Sequence, residues 1–209
     1  MKPGQKFRNA LKNNKPLIIP GTINAYSAKL AELANHNSIY LSGSGVAAAS
    51  YGLPDLGVTT LENVLIDAKR ITSATSLPLL VDIDTGWGDF DAISNTIIEM
   101  GNANVAAVHI EDQIFDKRCG HRPNKQLVSI DEMQDRLKAA LDAKIDDSFF
   151  IMARTDALAS EGIEKAIERC GKYLDVGADG IFFEAAVSIE EYKEFKNNFS
   201  APLLANITE

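Results

Sequence analysis

A (β/α)₈-type barrel, with parallel strands inside and helices outside, is the fold class the sequence predicts, and three observations predict it. Short apolar runs alternate with amphipathic helical stretches along all 209 residues. The runs are near-continuous in Val, Ile, Leu and Phe, as parallel strands covered on both faces require. Polar and charged residues collect at their C-terminal ends, the face on which barrels carry their ligands.

Taken in order, the strand candidates are residues 16–23, 38–42, 77–83, 106–110, 149–153, 180–183 and 202–205. Helix starts stand between them. Thr59 with Glu62, Ser129 with Glu132 and Ser188 with Glu191 have the spacing of a capping box, each just upstream of a periodic apolar segment. Gly101 and Gly177 follow helical patterns and are expected to cap them in the left-handed conformation. The strand ends carry Ser42, Asp82 with Asp84, His109 with Glu111, Arg154, Glu184 and Asn206. No G-x-G-x-x-G follows the first strand candidate, so an open dinucleotide-binding sheet loses its main support. A complete barrel takes ~250 residues and about eight strands. The expectation is therefore one domain spanning residues 1–209, an incomplete barrel of about seven strands.

Composition narrows the partners. With 45% hydrophobic residues the chain can bury one sizeable core, and 21 Lys plus Arg against 29 Asp plus Glu leave a net charge of −8. That charge argues against nucleic acid and anionic membranes and for a small-molecule partner. The first residues lack an apolar leader segment, and no apolar run approaches the ~18 residues that span a bilayer, so a cytoplasmic protein is expected. Two cysteines, Cys119 and Cys170, are too few for a disulfide framework.

Asp82 and Asp84 lie two apart at a strand end, and His109 and Glu111 repeat that parity one strand later, so these side chains can converge inside a barrel. Carboxylates brought together in this way must bind a cation or rise in pKa. An all-oxygen set suits Mg²⁺, or Mn²⁺. The thiol of Cys119, flanked by Lys117, Arg118 and His121, can give up a proton and act as an acid. Two cysteines and three histidines do not supply zinc-ligand spacing around it. Cys170, within a helical pattern, reads as core.

The run KRCGH at 117–121 resembles the signature of the isocitrate lyase and phosphoenolpyruvate mutase superfamily. GTINA at 21–25, IYLSG at 39–43, GLPDLG at 52–57, HIEDQ at 109–113, KRCGHRPNK at 117–125, IMARTDALA at 151–159 and LANITE at 204–209 are similar to the 2-methylisocitrate lyases, in order along essentially the whole chain. The resemblance implies Mg²⁺ bound directly by Asp82, with Asp55, Asp84 and Glu111 holding it mainly through waters. It implies a substrate carboxylate on the backbone of Ser42, Gly43 and Ser44. Further substrate contacts would come from Lys117, Arg118, Gly120, His121, Arg154, Glu184, Asn206 and Thr208, and Phe182 would line a methyl pocket. Cys119, Tyr40, His121 and Arg154 would be the catalytic groups. Cys119 would protonate the departing succinate, and either Tyr40 or a metal-linked carboxylate would take the substrate's hydroxyl proton. The implied reaction is cleavage of 2-methylisocitrate to pyruvate and succinate, the methylcitrate-cycle step of propionate degradation. Isocitrate lyase, whose substrate lacks one methyl, is the rival within the superfamily, and an inactive remnant is the rival outside it. In relatives the chain continues past position 209 into an eighth strand and helices exchanged within a tetramer. A homo-oligomer is thus implied, and this chain alone is expected to be weakly active and prone to associate.

Overall fold

A computed structural model describes residues 1–115, 117–120 and 124–207. The chain runs α1 (Pro3–Asn13), α2 (Ala25–Leu33), β1 (Ile39–Leu41), α3 (Gly43–Tyr51), α4 (Leu61–Ala74), β2 (Leu79–Asp82), α5 (Phe90–Asn102), β3 (Ala107–Glu111) and α6 (Ile130–Asp142). It continues through β4 (Phe150–Thr155), α7 (Leu158–Glu161), α8 (Ile163–Val176), β5 (Gly180–Phe183), α9 (Ile189–Asn197) and β6 (Leu203–Leu204).

The six strands form one sheet in the order β1-β2-β3-β4-β5-β6, every pair parallel. Each strand lies beside its successor, with a helical crossover between, which is the winding of a barrel rather than of a doubly wound sheet. The sheet is thus an arc of a TIM-type barrel. Residues 16–23 do not form the expected strand. They run beside β1 as extended chain with one bridge, Gly21 to Tyr40, closed by Thr22 N–H to the Tyr40 carbonyl at 2.7 Å and Tyr40 N–H to the Pro20 carbonyl at 3.0 Å. Two prolines in that run, Pro16 at its start and Pro20 in its middle, cannot donate to a ladder.

Side-chain parity divides the sheet into two faces. Leu79, Val81 and Ile83, Val108 and Ile110, Ile151 and Ala153, and Ile181 and Phe183 point outward into a core shared with the helices. Leu80, Ala107, Phe150, Met152 and Phe182 point inward. Helix α1 closes the floor of this inner layer. Its Phe7 meets Phe150 edge-on at 5.2 Å, Arg8 binds the Ser148 carbonyl and Asp179, and Gly4 packs so tightly against the Ser148 carbonyl that no Cβ fits. Above that floor the inward positions become polar.

Helix starts follow the capping logic with one displacement. Ser129 and Ser188 cap α6 and α9 as expected, but α4 is capped by Thr60 with Asn63 as its reciprocal partner, not by Thr59 with Glu62. Asn63 accepts from the Thr60 amide as a glutamate would. Gly177 is the left-handed cap of α8, whereas Gly101 lies inside the last turn of α5, and Asn104 adopts the positive φ beyond it. Gly101 instead makes room for Ile145, which a Cβ there would strike at 2.7 Å. Among the described residues no helix is long and apolar enough to cross a membrane.

Candidate active site

Register places the polar inward residues in one ring. Asp82 pairs with His109 across β2 and β3, Glu111 with Arg154 across β3 and β4, and Arg154 with Phe182 across β4 and β5. All are buried. Beyond β2 the chain turns through Asp84, whose φ of 47° is of the kind Asp tolerates, and its N–H donates to Asp82 Oδ1 at 3.0 Å. The other oxygen of Asp82 accepts from the Gly43 amide at 3.2 Å. A Cβ on Gly43 would lie 3.2 Å from Asp82 Oδ2 and 3.3 Å from Asp84 Oδ1, so glycine lets the first turn of α3 approach both acids. Ser42 accepts from the Gly45 amide and caps that helix, so the backbone of Ser42, Gly43 and Ser44 is a helix N-terminus beside the acids.

The charges do not balance. Burial raises Asp82, but the charges around it outweigh burial and hold it down at about 2. Burial, then the charge of Asp82, push Asp84 up to about 6. Burial drives Glu111 well above the carboxylate range despite Arg154, whose Nε stands 3.2 Å from Glu111 Oε2, while Glu111 Oε1 has no hydrogen-bond partner among the described residues. Lys117 extends its ammonium between Asp84, at 2.8 Å, and Asp55. It therefore serves the acids, not the thiol two residues on.

Tyr40 reaches across from β1, its hydroxyl 3.0 Å from His109 Nε2. Burial pushes His109 down to about 4, so the ring is neutral at pH 7; below about 4 it is charged, and its charge, then those of Lys117 and Arg154, hold Asp82 down. Burial raises the Tyr40 hydroxyl, which is therefore a phenol. Phe182 stands edge-on to His109 at 4.9 Å, with the Arg154 guanidinium carbon 5.0 Å from its ring centre.

The loop between β3 and α6 brings the thiol. Its limbs are joined by a bridge from Gln113 to Leu127, and the Gln113 amide grips residue 118 twice, accepting from the Arg118 N–H at 3.0 Å and donating to its carbonyl at 2.9 Å. The Arg118 side chain is exposed. Cys119 is half-buried and lines the cavity; neither cysteine is in a disulfide, and Cys170 is fully buried in the outer core. Gly120 presses between Arg154 and Glu184, and a Cβ there would come within 2.7 Å of the Glu184 carboxyl carbon. Glu184 stands 3.7 Å from Arg154 Nη2, and Asn206 is half-buried on the cavity wall. His121 and Thr208 lie outside the described residues.

Sequence reasoning missed Lys125 and Asp156 as site residues. Lys125 Nζ donates to the Gly120 carbonyl at 2.7 Å and to Asp156 Oδ1 at 2.8 Å, while Asp156 also holds Arg154 through Nε at 2.9 Å. The available signal was the i, i+2 spacing of Arg154 and Asp156, which at a strand end puts opposite charges on one face.

One cavity of about 840 Å³ reaches from Leu80, Met152 and Phe182 up to Asp55, Asp82, Lys117, Cys119 and Arg154, with Asp84, His109, Glu111, Lys125 and Asp156 outside its lining. Among the described residues no three His, Cys, Asp or Glu side chains converge closely enough to cage an ion unaided. Acids, a guanidinium and a thiol at the C-terminal ends of barrel strands define an enzyme of the (β/α)-barrel class acting on a small anionic molecule. The family model described as phosphoenolpyruvate phosphomutase matches residues 7–209, and the chain belongs to that family. It is 60% identical to the 2-methylisocitrate lyase of Shewanella oneidensis over 206 residues, 99% of this chain and 70% of that one. The crystal structure of a 2,3-dimethylmalate lyase superposes with a TM-score of 0.91 at 35% identity, covering 97% of this chain and 69% of the other. A phosphonopyruvate hydrolase solved with oxalate and Mg²⁺ gives 0.84 at 31%, covering 97% and 71%.

Proposed function

We propose that this chain is a lyase that cleaves 2-methylisocitrate to pyruvate and succinate with Mg²⁺, Mn²⁺ being the alternative ion. One observation carries the reading: a single cavity holds a cation-deficient cluster of acids on one wall and a half-buried thiol on another, with Arg154 and Phe182 between them. A divalent cation fits the acids. Burial, and behind it the charges of neighbouring acids, raise Asp84 and Glu111, and Glu111 Oε1 is a buried acceptor with no hydrogen-bond donor among the described residues. Asp82, held ionised, would bind the ion directly, and Asp55, Asp84 and Glu111 would act mainly through waters.

When bound, the ion supplies the Lewis acidity that makes a substrate hydroxyl easier to deprotonate. The residues do the rest. Arg154 fixes a carboxylate, and the backbone of Ser42, Gly43 and Ser44, at the positive end of α3, fixes another, with the Gly43 N–H shared with Asp82 Oδ2. Two groups can take the hydroxyl proton: Tyr40 Oη, as its own proton passes to His109 Nε2 3.0 Å away, or an acid-cluster carboxylate. Cleavage leaves a carbanion on the succinate half, which Cys119 Sγ protonates. Lys117, Arg118, Gly120, His121, Glu184, Asn206 and Thr208 complete the substrate contacts, and Phe182 receives the methyl group.

The proposal extends to a homo-oligomer, supported by the exposed apolar stripe of Tyr26, Leu30 and Leu33 on α2, and to the cytoplasm, supported by two thiols outside any disulfide. The test is Mg²⁺-dependent pyruvate release, followed for 2-methylisocitrate and isocitrate side by side. A preference of roughly 10–200-fold for the methylated substrate is expected. Equal kcat/KM would move the chain to isocitrate cleavage, and no release from either would end the lyase reading.

A further inference from the structure

Four buried groups join the thiol loop to the strand that carries Arg154. Asp156 is fully buried just past β4, and its carboxylate is shared: Oδ2 accepts from Arg154 Nε at 2.9 Å, and Oδ1 accepts from Arg154 Nη2 at 3.2 Å and Lys125 Nζ at 2.8 Å. Lys125 stands in the returning limb of the loop, its side chain only 2% exposed, and its ammonium spends a second hydrogen bond on the Gly120 carbonyl at 2.7 Å. Gly120 follows Cys119. Asp156 is itself fixed from behind, its N–H donating to Asp112 Oδ1 at 2.9 Å, and Asp112 in turn accepts from Thr155 at 2.8 Å and Tyr173 at 2.9 Å.

Such an arrangement does more than pack. A lysine ammonium buried to this degree is costly unless paired, and here its partners are a strand-end carboxylate and a loop carbonyl, so moving the loop strips the charge of one partner. The same carboxylate sets the direction of the Arg154 guanidinium, which lies against Gly120 from the other side. The loop's other anchor, the Gln113 amide on residue 118, fixes the outgoing limb and leaves the Gly120 side to Lys125 alone among the hydrogen bonds described.

We propose that Lys125 and Asp156 are positioning residues, a buried ionic tether that holds the Cys119 loop in register with Arg154, so that proton donor and substrate carboxylate are set by one carboxylate. The catalytic meaning rests on the lyase reading; the tether itself does not. Binding of an anion to Arg154 and seating of Cys119 are coupled through Asp156, and loss of either tether residue disturbs proton delivery more than substrate binding.

The test uses two readouts on the whole chain. Thiol labelling with a disulfide reagent reports the loop, with the fully buried Cys170 as the internal measure of global opening. Lys125→Met is expected to speed Cys119 labelling by about tenfold or more, the worth of a charge-assisted hydrogen bond, with Cys170 unreacted. Lys125→Arg, which keeps the charge, should return most of the protection. Steady-state kinetics on 2-methylisocitrate should show kcat falling about tenfold or more with KM within about threefold, because displaced groups cost rate before affinity. In Lys125→Met with Asp156→Asn the losses should fall short of the product of the single losses, as for residues acting in one chain. An unchanged Cys119 labelling rate in Lys125→Met overturns the tether, as does a defect confined to KM. If Lys125→Met exposes Cys170, Asp156→Asn alone decides by the same two measures. Altered labelling without turnover in any version would sink the lyase reading and leave the tether standing, whereas altered labelling with turnover indifferent to Lys125 would overturn the tether's catalytic role and leave the lyase reading standing.

Discussion

Replacing Asp84 by Asn should stabilise the metal-free protein at neutral pH while weakening its hold on a divalent cation. Asp84 is 4% exposed and carries a pKa of about 6 in the fold against an ordinary value of 3.8. A carboxyl whose folded pKa is raised holds its proton more tightly in the fold than in the unfolded chain, so stability is lost as pH rises from about 4 through 6. At about 1.4 kcal/mol per pH unit, that interval comes to about 3 kcal/mol by pH 7. The attraction of Lys117 is already inside that figure. Asn is isosteric, tolerates the positive φ of 47°, and removes the penalty. His109 works in the opposite sense over nearly the same range, since its folded pKa of about 4 against 6.5 costs stability as pH falls. Glu111, also raised by burial, costs stability with rising pH over the same range in both proteins, so the readout is the gap between Asp84→Asn and the parent, which should open from about pH 4 to 6.5. Urea unfolding in chelator is the assay, and a midpoint about 1 M higher at pH 7.5, converging with the parent near pH 4, is expected. Saturating Mg²⁺ should narrow the gap by stabilising the parent. A variant no more stable than the parent at pH 7.5 would refute the claim that the acid cluster lacks positive charge.

Cys119→Ser should keep the fold and Mg²⁺ binding but retain under about a tenth of parental turnover, because a serine hydroxyl holds its proton far more tightly than a thiol; residual turnover above that makes the thiol a bystander. Phe182→Ala should shrink the ratio of kcat/KM for 2-methylisocitrate over isocitrate, and should also cost about 3–5 kcal/mol of stability, since the ring is 1% exposed against His109 and Arg154. An unchanged ratio would remove it from the methyl pocket. Tyr173→Phe should cost about 1–3 kcal/mol, measured by urea unfolding, because it leaves a buried oxygen of Asp112 short of one donor at 2.9 Å; a loss below about 0.5 kcal/mol would mean that Thr155 and Arg169, whose Nη1 stands 3.7 Å from the same oxygen, suffice for that carboxylate.

The barrel winding was legible because apolar runs and strand-end polar residues are both local patterns, and six of the seven runs became strands. Residues 16–23 were not separable from them by hydrophobicity; what excludes them is ladder geometry beside β1. The displaced cap at Thr60 shows the limit of a spacing rule, since Asn63 competes with Glu62 for the same role and only the backbone decides. In the site, Asp82 and Glu111 could be read from parity at strand ends and Arg154 from its place at one, whereas Phe182 came only from the family resemblance. Asp156 carried the same parity signal, two residues past Arg154, but Lys125 did not, because it meets Asp156 across 31 positions through a loop whose return path no periodicity encodes. Nor could the direction of Lys117 be read: two residues from a cysteine in sequence, it points to Asp55 and Asp84 because uncompensated carboxylates lie within reach.

The division of the strands by parity also governs which genetic changes such an enzyme can survive. Along β3, Val108 and Ile110 belong to the outer core while His109 and Glu111 belong to the chemistry, so deletion of one residue within the strand would trade them wholesale, putting a carboxylate among the helices and an isoleucine in the cavity. Substitution at a single inward position leaves the outer layer untouched. Lineages carrying this scaffold can therefore drift between reactions by point changes at strand tips while remaining intolerant of length changes in the strands, and a reading-frame-preserving codon loss in β3 is more dangerous than most missense changes nearby.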